Sequence, residues 1–190
     1  MFRRVSALLP FALIATVAAA ADFKAAEEAY LNASIRPWAE NAALVDAIKA
    51  ANAERAAFDQ AKIDELDAAW KAEVGTSDTP TITPVLTNAA SDFLRAQVEA
   101  SGGAVTEAFV TDAKGLNVAV SEPTSDMWQG DEPKFSEVFP KGKDGVLFSD
   151  VELDESTQIY SGQISISITD PATGEVIGTL TVGVNAESLM

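Results

Sequence analysis

The sequence predicts an α+β fold, with long N-terminal helices packed on a five-stranded antiparallel sheet. Three observations predict it. From Asp22 to about Gly102 the chain is rich in alanine, and its apolar residues recur at helical spacing. After Gly103 the apolar period changes from about 3.6 to 2. Two turn sequences, Asp112-Ala113-Lys114-Gly115 and Asp170-Pro171-Ala172-Thr173-Gly174, then join strand-like runs as antiparallel pairs.

The helical half divides at its caps and breakers. Leu44, Ile48 and Ala51 recur on one helical face with Val45 beside them. Pro37 fits the first turn of a helix after Ser34, where a missing N–H leaves nothing unpaired, better than an interior. A second helix follows Ile63, Leu66 and Trp70, with Asp59 placed to cap its start. Gly75 to Thr81 reads as a linker. Thr83-Pro84 opens a third helix along Leu86, Ala90, Phe93, Leu94 and Val98, which Ser101-Gly102-Gly103 ends.

Five strands are expected in the sheet half. Thr106–Thr111 and Leu116–Ser121 flank the first turn, Gly145–Leu153 is the third, Ile159–Thr169 the fourth and Glu175–Asn185 the fifth. In the fourth, Ile164, Ile166 and Ile168 alternate with Gln163, Ser165, Ser167 and Thr169, so one face is apolar and the other polar. The apolar face is expected against the helices. Between the second and third strands, Glu122 to Gly130 is too polar for a core, and a loop of this kind on a rigid sheet is where binding residues tend to sit.

The ends and the composition bound the setting. Arg3 and Arg4, the short apolar run Leu8–Val17 and the small residues Ala18–Ala21 read as a secretory signal peptide over residues 1–21. The run is shorter than the roughly 20 residues that span a bilayer. Residues 22–190 are then expected to form one exported domain, with a helical part at about 22–102 and a sheet part at about 103–190, in a bacterial periplasm. With no cysteine, no disulfide supports the fold and packing must stabilise it. The formal net charge is -16, and loss of Arg3 and Arg4 with the leader makes the remainder more acidic still. Such a surface repels nucleic acid and anionic membrane, which argues against both as partners.

The chain also resembles a known family. The segments AFVTDAKGLNVAVSE, SDMWQGDEPKF, VELDEST and ISITDPATGEVIGTLTVGV, after the helix IRPWAENAALVDAIKAAN, resemble in kind and order the extracytoplasmic PAS-like, or Cache, sensor domains. The stand-alone exported bacterial form is the most similar. The resemblance implies a small-molecule sensor in signal transduction, with a pocket between the sheet and the segment that crosses over it. Most family members sit between two membrane helices of a histidine kinase or chemoreceptor. This sequence has no second long apolar run, which points to a free binding protein that presents its ligand to a membrane receptor or histidine kinase.

Side-chain chemistry narrows the function further. Without histidine or cysteine there is no histidine base, no Ser-His-Asp or Cys-His nucleophile, and no nitrogen or thiolate metal site. Neither an enzyme nor a cofactor is expected. A carboxylate pair for glycoside hydrolysis and a Ca²⁺ site of oxygen ligands are the chemical rivals, and neither has a recognisable motif. By the resemblance, the loop Ser125–Glu132 covers the pocket. Trp128 would supply an aromatic wall, Asp126 and Asp131 would accept from a ligand ammonium, and Gly130 would allow close backbone approach. The bland alternatives are a capping core role for Trp128 and an N-cap role for Asp131 ahead of a short helix Glu132–Val138. On the sheet, Tyr160, Gln163 and Ser165 are expected to face the pocket. The arginines after the leader, Arg36, Arg55 and Arg95, all lie in the helical half, so a bidentate carboxylate clamp is not at hand, although Lys134 and backbone amides are. The ligand is therefore expected to be cationic or zwitterionic, an amine or an amino acid. The plainest alternative is a ligand-free interaction module that forms a homodimer through the N-terminal helix.

Overall fold

The computed structural model describes residues 23–154 and 159–189. The expected leader at 1–21 and residues 155–158, within the VELDEST segment and just after it, lie outside them. Helix α1 covers residues 23–39 and changes pitch on the way. Residues 23–30 are α-helical, Leu31–Ile35 form a π turn, and Arg36–Ala39 return to α geometry. Pro37 is expected in a first turn, yet here it lies within a continuous helix. The wide turn accounts for this, because the Arg36 N–H reaches back to the Leu31 carbonyl and the opened pitch accommodates the proline ring.

Side-chain caps set the remaining helices. Asn41 accepts from the Ala43 N–H at 2.9 Å and starts α2 (Ala42–Glu54). Asp59 starts α3 (Gln60–Glu73) as predicted, accepting from the Lys62 N–H at 3.0 Å. The predicted third helix divides into α4 (Ile82–Leu86) and α5 (Ala89–Ala100). Asn88 makes the break tolerable: its Oδ1 accepts from the Ser91 N–H, and its Nδ2 donates to the carbonyls of Pro84, Val85 and Val118. One amide thus satisfies the end of α4, the start of α5 and an adjacent strand.

The sheet contains β1 (Val105–Thr111), β2 (Asn117–Val120), β3 (Val146–Phe148), β4 (Glu152–Asp154), β5 (Ile159–Thr169) and β6 (Val176–Asn185). All pairings are antiparallel, in the order β2-β1-β6-β5-β3, and β4 also pairs with β5. The extra segment arises because the expected third strand breaks at Ser149–Val151. Ser149 N–H donates to the Gln163 carbonyl at 2.9 Å, while the Gln163 N–H finds the Ser149 hydroxyl at 2.8 Å instead of a carbonyl. β3 and β4 then pair with opposite halves of β5.

The two faces of the sheet are covered differently. Ile164, Ile166, Ile168, Leu180 and Val182 join the core that includes Leu44, Val45, Ile48 and Leu94 of the helices. The opposite face carries a buried polar lattice, in which Thr111 pairs with Thr179 at 2.7 Å and Ser165 with Thr181 at 2.9 Å, and toward β2 a second apolar cluster, in which Phe109 and Val120 meet Ile63 and Trp70 of α3 and Ile82 and Val85 of α4. The segment after β2 crosses this face through α6 (Pro133–Ser136) and a 3₁₀ turn at Phe139–Asp144. Phe135 stacks on Phe139 at 5.1 Å, and the Ser167 hydroxyl donates to the Val138 carbonyl at 3.3 Å. Helices, two strands, a crossing segment and closing strands that end in a hairpin are the order that the PAS-like resemblance implies. Among the described residues no helix is long and apolar enough to cross a membrane.

Candidate functional site

The β1–β2 turn is the anchor from which the site is built. Asp112 is fully buried there; its Oδ1 accepts from the Lys114 and Leu116 N–H groups at 2.8 and 3.0 Å. Its Oδ2 pairs with Arg55 Nη1 at 2.9 Å, and the same nitrogen donates to the Asn117 carbonyl at 3.1 Å. The charge is thus neutralised and fully hydrogen-bonded, as a buried carboxylate requires. Gly115 has φ +81°, and a Cβ there would stand 2.6 Å from Gly130 Cα. The turn and the following loop are therefore in backbone contact, which glycine at 115 permits, whereas a Cβ at Gly130 would strike the Trp128 indole.

That loop is closed on itself. Trp128 pairs its backbone with Leu116, and its indole N–H donates to the Lys114 carbonyl at 2.9 Å. Asp67 of α3 accepts from the N–H groups of Met127 and Trp128 at 3.0 and 3.1 Å. Asp126 accepts from the Gln129 side chain. Gly130 lies against the Trp128 indole, and Asp131 is exposed. Lys71, hydrogen-bonded to Asp67 and in the field of Asp126 and Asp131, is held above the usual lysine range. The chain thus offers its own ammonium to the acids predicted to receive one from a ligand. The short helix α6 begins at Pro133 after Glu132, and no side chain caps it.

The predicted sheet residues separate. Gln163 lines a cavity of about 510 Å³ on the polar face, immediately after the predicted loop, where Glu132 and Lys134 form one wall and Ser149, Glu152 and Ser161 another. Ser165 also lines it. Tyr160 shares the even parity of the isoleucines; it is 51% exposed and lines a different cavity on the helical side. Of the six predicted residues, Asp126, Trp128 and Gly130 sit together in the closed loop, Asp131 lies beside it, Gln163 is in the polar-face cavity, and Tyr160 is apart.

The polar-face cavity is chemically specific. Gln163 Nε2 donates to Glu107 Oε1 at 2.9 Å, which orients the amide on the cavity floor. Lys134 is the cation among its lining residues, 3.0 Å from Glu132 and 5.5 Å above the Phe109 ring. Glu132, Asp150 and Glu152 supply three acids. Such a set can hold an ammonium by carboxylates and turn Lys134 to a ligand carboxylate. Among the described residues no group of three acidic side chains is placed to hold a metal ion. Glu132 ends the predicted loop, whereas Asp150 and Glu152 carry no local signal in the sequence; the β-strand parity around Gln163 and the order of the crossing segment are what point to this wall.

Comparisons with known proteins give distant structural matches. The chain is similar to the sensor domain of the Vibrio cholerae histidine kinase DctB, at 14% identity and a TM-score of 0.46, over 92% of this chain and 56% of that one. It is similar to the ligand-binding domain of the Campylobacter jejuni chemoreceptor Tlp3 in complex with L-valine, at 15% identity and a TM-score of 0.42, over 88% of this chain and 64% of that one. A third match is an extracellular ligand binding receptor from Desulfohalobium retbaense, at 16% identity and a TM-score of 0.40, over 77% of this chain and 25% of that one. The chain thus spans less than two thirds of each. No protein-family model and no curated protein matches the sequence. Its architecture stands on its own elements: an α+β fold of PAS-like element order, with α2 and α5 on one face of an antiparallel sheet and the crossing segment on the other.

Proposed function

We propose that the protein is an exported periplasmic sensor domain that binds a cationic or zwitterionic small molecule, an amine or an amino acid, beneath Glu132–Lys134. It would present the ligand to a membrane receptor or histidine kinase and release it chemically unchanged. One observation carries this reading: a cavity of about 510 Å³ at the sheet's polar face, within the size range of small-molecule sites, lined by three acids, one lysine and an oriented Gln163. An anionic ligand would meet an excess of like charge there, whereas an ammonium would not. The predicted loop residues Asp126, Trp128, Gly130 and Asp131 would support the site from outside, by holding the start of the crossing segment against the β1–β2 turn. The test is thermal unfolding of the purified chain with amines, amino acids, dicarboxylates and divalent cations, since a ligand that binds only the folded state raises Tm by mass action. Amines or amino acids without a large apolar group are expected to raise it, and Gln163→Ala to abolish that rise. A rise from dicarboxylates alone would overturn the ligand class.

A further inference from the structure

Two cavities flank β5 and share Ser149 and Asp150 of the β3–β4 break. The second opens on the isoleucine side, between α1, the β3–β4 break and α7 (Ala186–Leu189), with a volume of about 700 Å³. Much of its wall is apolar, formed by Phe23, Phe148, Val151, Tyr160 and Ala186. Glu27 of α1 does not fit that setting. It lines the cavity, is 2% exposed, and its Oε1 has no hydrogen-bond partner among the described residues. The carboxyl lies against the β5 backbone, where a Cβ at Gly162 would come within 3.1 Å of Oε1. Glycine at that position leaves the carboxyl its space. A buried carboxyl oxygen without a donor is costly unless a donor arrives from beyond the described residues.

We propose that this cavity is a second binding site, for a primary amine bearing an apolar group, with its ammonium on Glu27 and its apolar part against Phe23, Phe148 and Tyr160. The chemistry of the lining selects that class. A carboxyl beside aromatic rings suits an ammonium, which gains from both, and the apolar wall excludes small hydrophilic cations. Lys24, Asp150, Tyr160 and Glu187 are the other titratable groups around the cavity, and Glu28 is next along the helix. Burial raises Glu27 to about 7, with Lys24 opposing and Glu28 adding to the shift. Ammonium binding therefore strengthens as Glu27 ionises, whereas a neutral hydrogen-bonding ligand would show no such gain. The inference concerns a different cavity from the proposed function and does not depend on it.

Calorimetric titration of the full chain with 2-phenylethylamine at pH 6 and pH 8 tests it. Binding about tenfold tighter at pH 8 is expected, following the ionised fraction of a group that titrates near 7. Glu27→Gln is expected to weaken binding at pH 8 by about tenfold and to remove the pH dependence, while Gln163→Ala in the other cavity leaves it unchanged. 3-Phenylpropionate, the anion of similar shape, should not bind. Should Glu27→Gln fail to fold, Tyr160→Ala, at an exposed position, must weaken binding severalfold. Absence of binding at millimolar amine, binding indifferent to these two substitutions, or binding lost in Gln163→Ala instead would overturn the proposal.

Discussion

Replacing Glu27 by glutamine should change how stability depends on pH, and by a calculable amount. Glu27 has an ordinary value of 4.5 and is raised to about 7 in the fold, chiefly by burial. Between those values the folded chain keeps a proton that the unfolded chain has released, so stability falls as pH rises through that window. The contribution is fully present below about 4.5 and is lost as pH passes the folded value. A shift of this size corresponds to about 3 kcal/mol, a large part of the stability of a domain this long. Glutamine occupies nearly the same volume and does not ionise. The difference in unfolding free energy, Glu27→Gln minus wild type, should therefore grow by about 3 kcal/mol from pH 4 to pH 8. Urea unfolding of both chains at half-unit pH steps measures it, and subtraction cancels the other carboxylates. A difference that stays flat across the range would mean instead that the carboxyl is solvated in the fold.

Three further outcomes follow from the packing. Arg55→Ala strands the buried Asp112 carboxylate at the β1–β2 turn and should lower stability by about 3 kcal/mol in urea unfolding; a loss below about 1 kcal/mol would class the pair as a surface one. Gly130→Ala would push a methyl group into the Trp128 indole and displace it from the Lys114 carbonyl, so tryptophan emission should shift to the red and stability should fall by about 1–3 kcal/mol; unchanged emission would contradict the closed loop. Asp170 has the opposite sign to Glu27. The hydrogen bond from Lys49, assisted by the Ala172 N–H, holds its carboxyl below the ordinary 3.8, so it stabilises above that value and its contribution is lost in acid. Asp170→Asn should therefore cost stability at neutral pH and progressively less below pH 3.8; a cost independent of pH would refute the ion pair.

Much of this fold was legible because its signals are local. The alternation of Ile164, Ile166 and Ile168 with Gln163, Ser165 and Ser167 marks β5 and its two faces. Asp170–Gly174 marks the hairpin to β6, and Asp59 marks the start of α3. Long-range partners decided what was not legible. Asn88 breaks a helix because it also reaches the Val118 carbonyl, and Ser149 breaks a strand because its hydroxyl stands in for an acceptor across from Gln163. The candidate site divides in the same way. Strand parity brings Gln163 to the polar face, and the same parity sends Tyr160 to the helical side. Trp128 and Asp126 look like ligand groups in a polar loop until their partners, the Lys114 carbonyl and Gln129, are known. Glu27 carries no sequence signal, since an acid on an alanine-rich helix reads as solvated.

As proposed, the polar-face cavity takes an amine or amino acid through its acids and Lys134. Calorimetric titration of wild type, Gln163→Ala and Lys134→Ala with the hydrophilic amine or amino acid, one without a large apolar group, that raises Tm most decides whether it does. Gln163→Ala is expected to weaken these ligands at least about tenfold, or about 1.4 kcal/mol, while Lys134→Ala weakens amino acids and spares simple amines. Binding that survives Gln163→Ala, or that Lys134→Ala weakens equally for both classes, would contradict it.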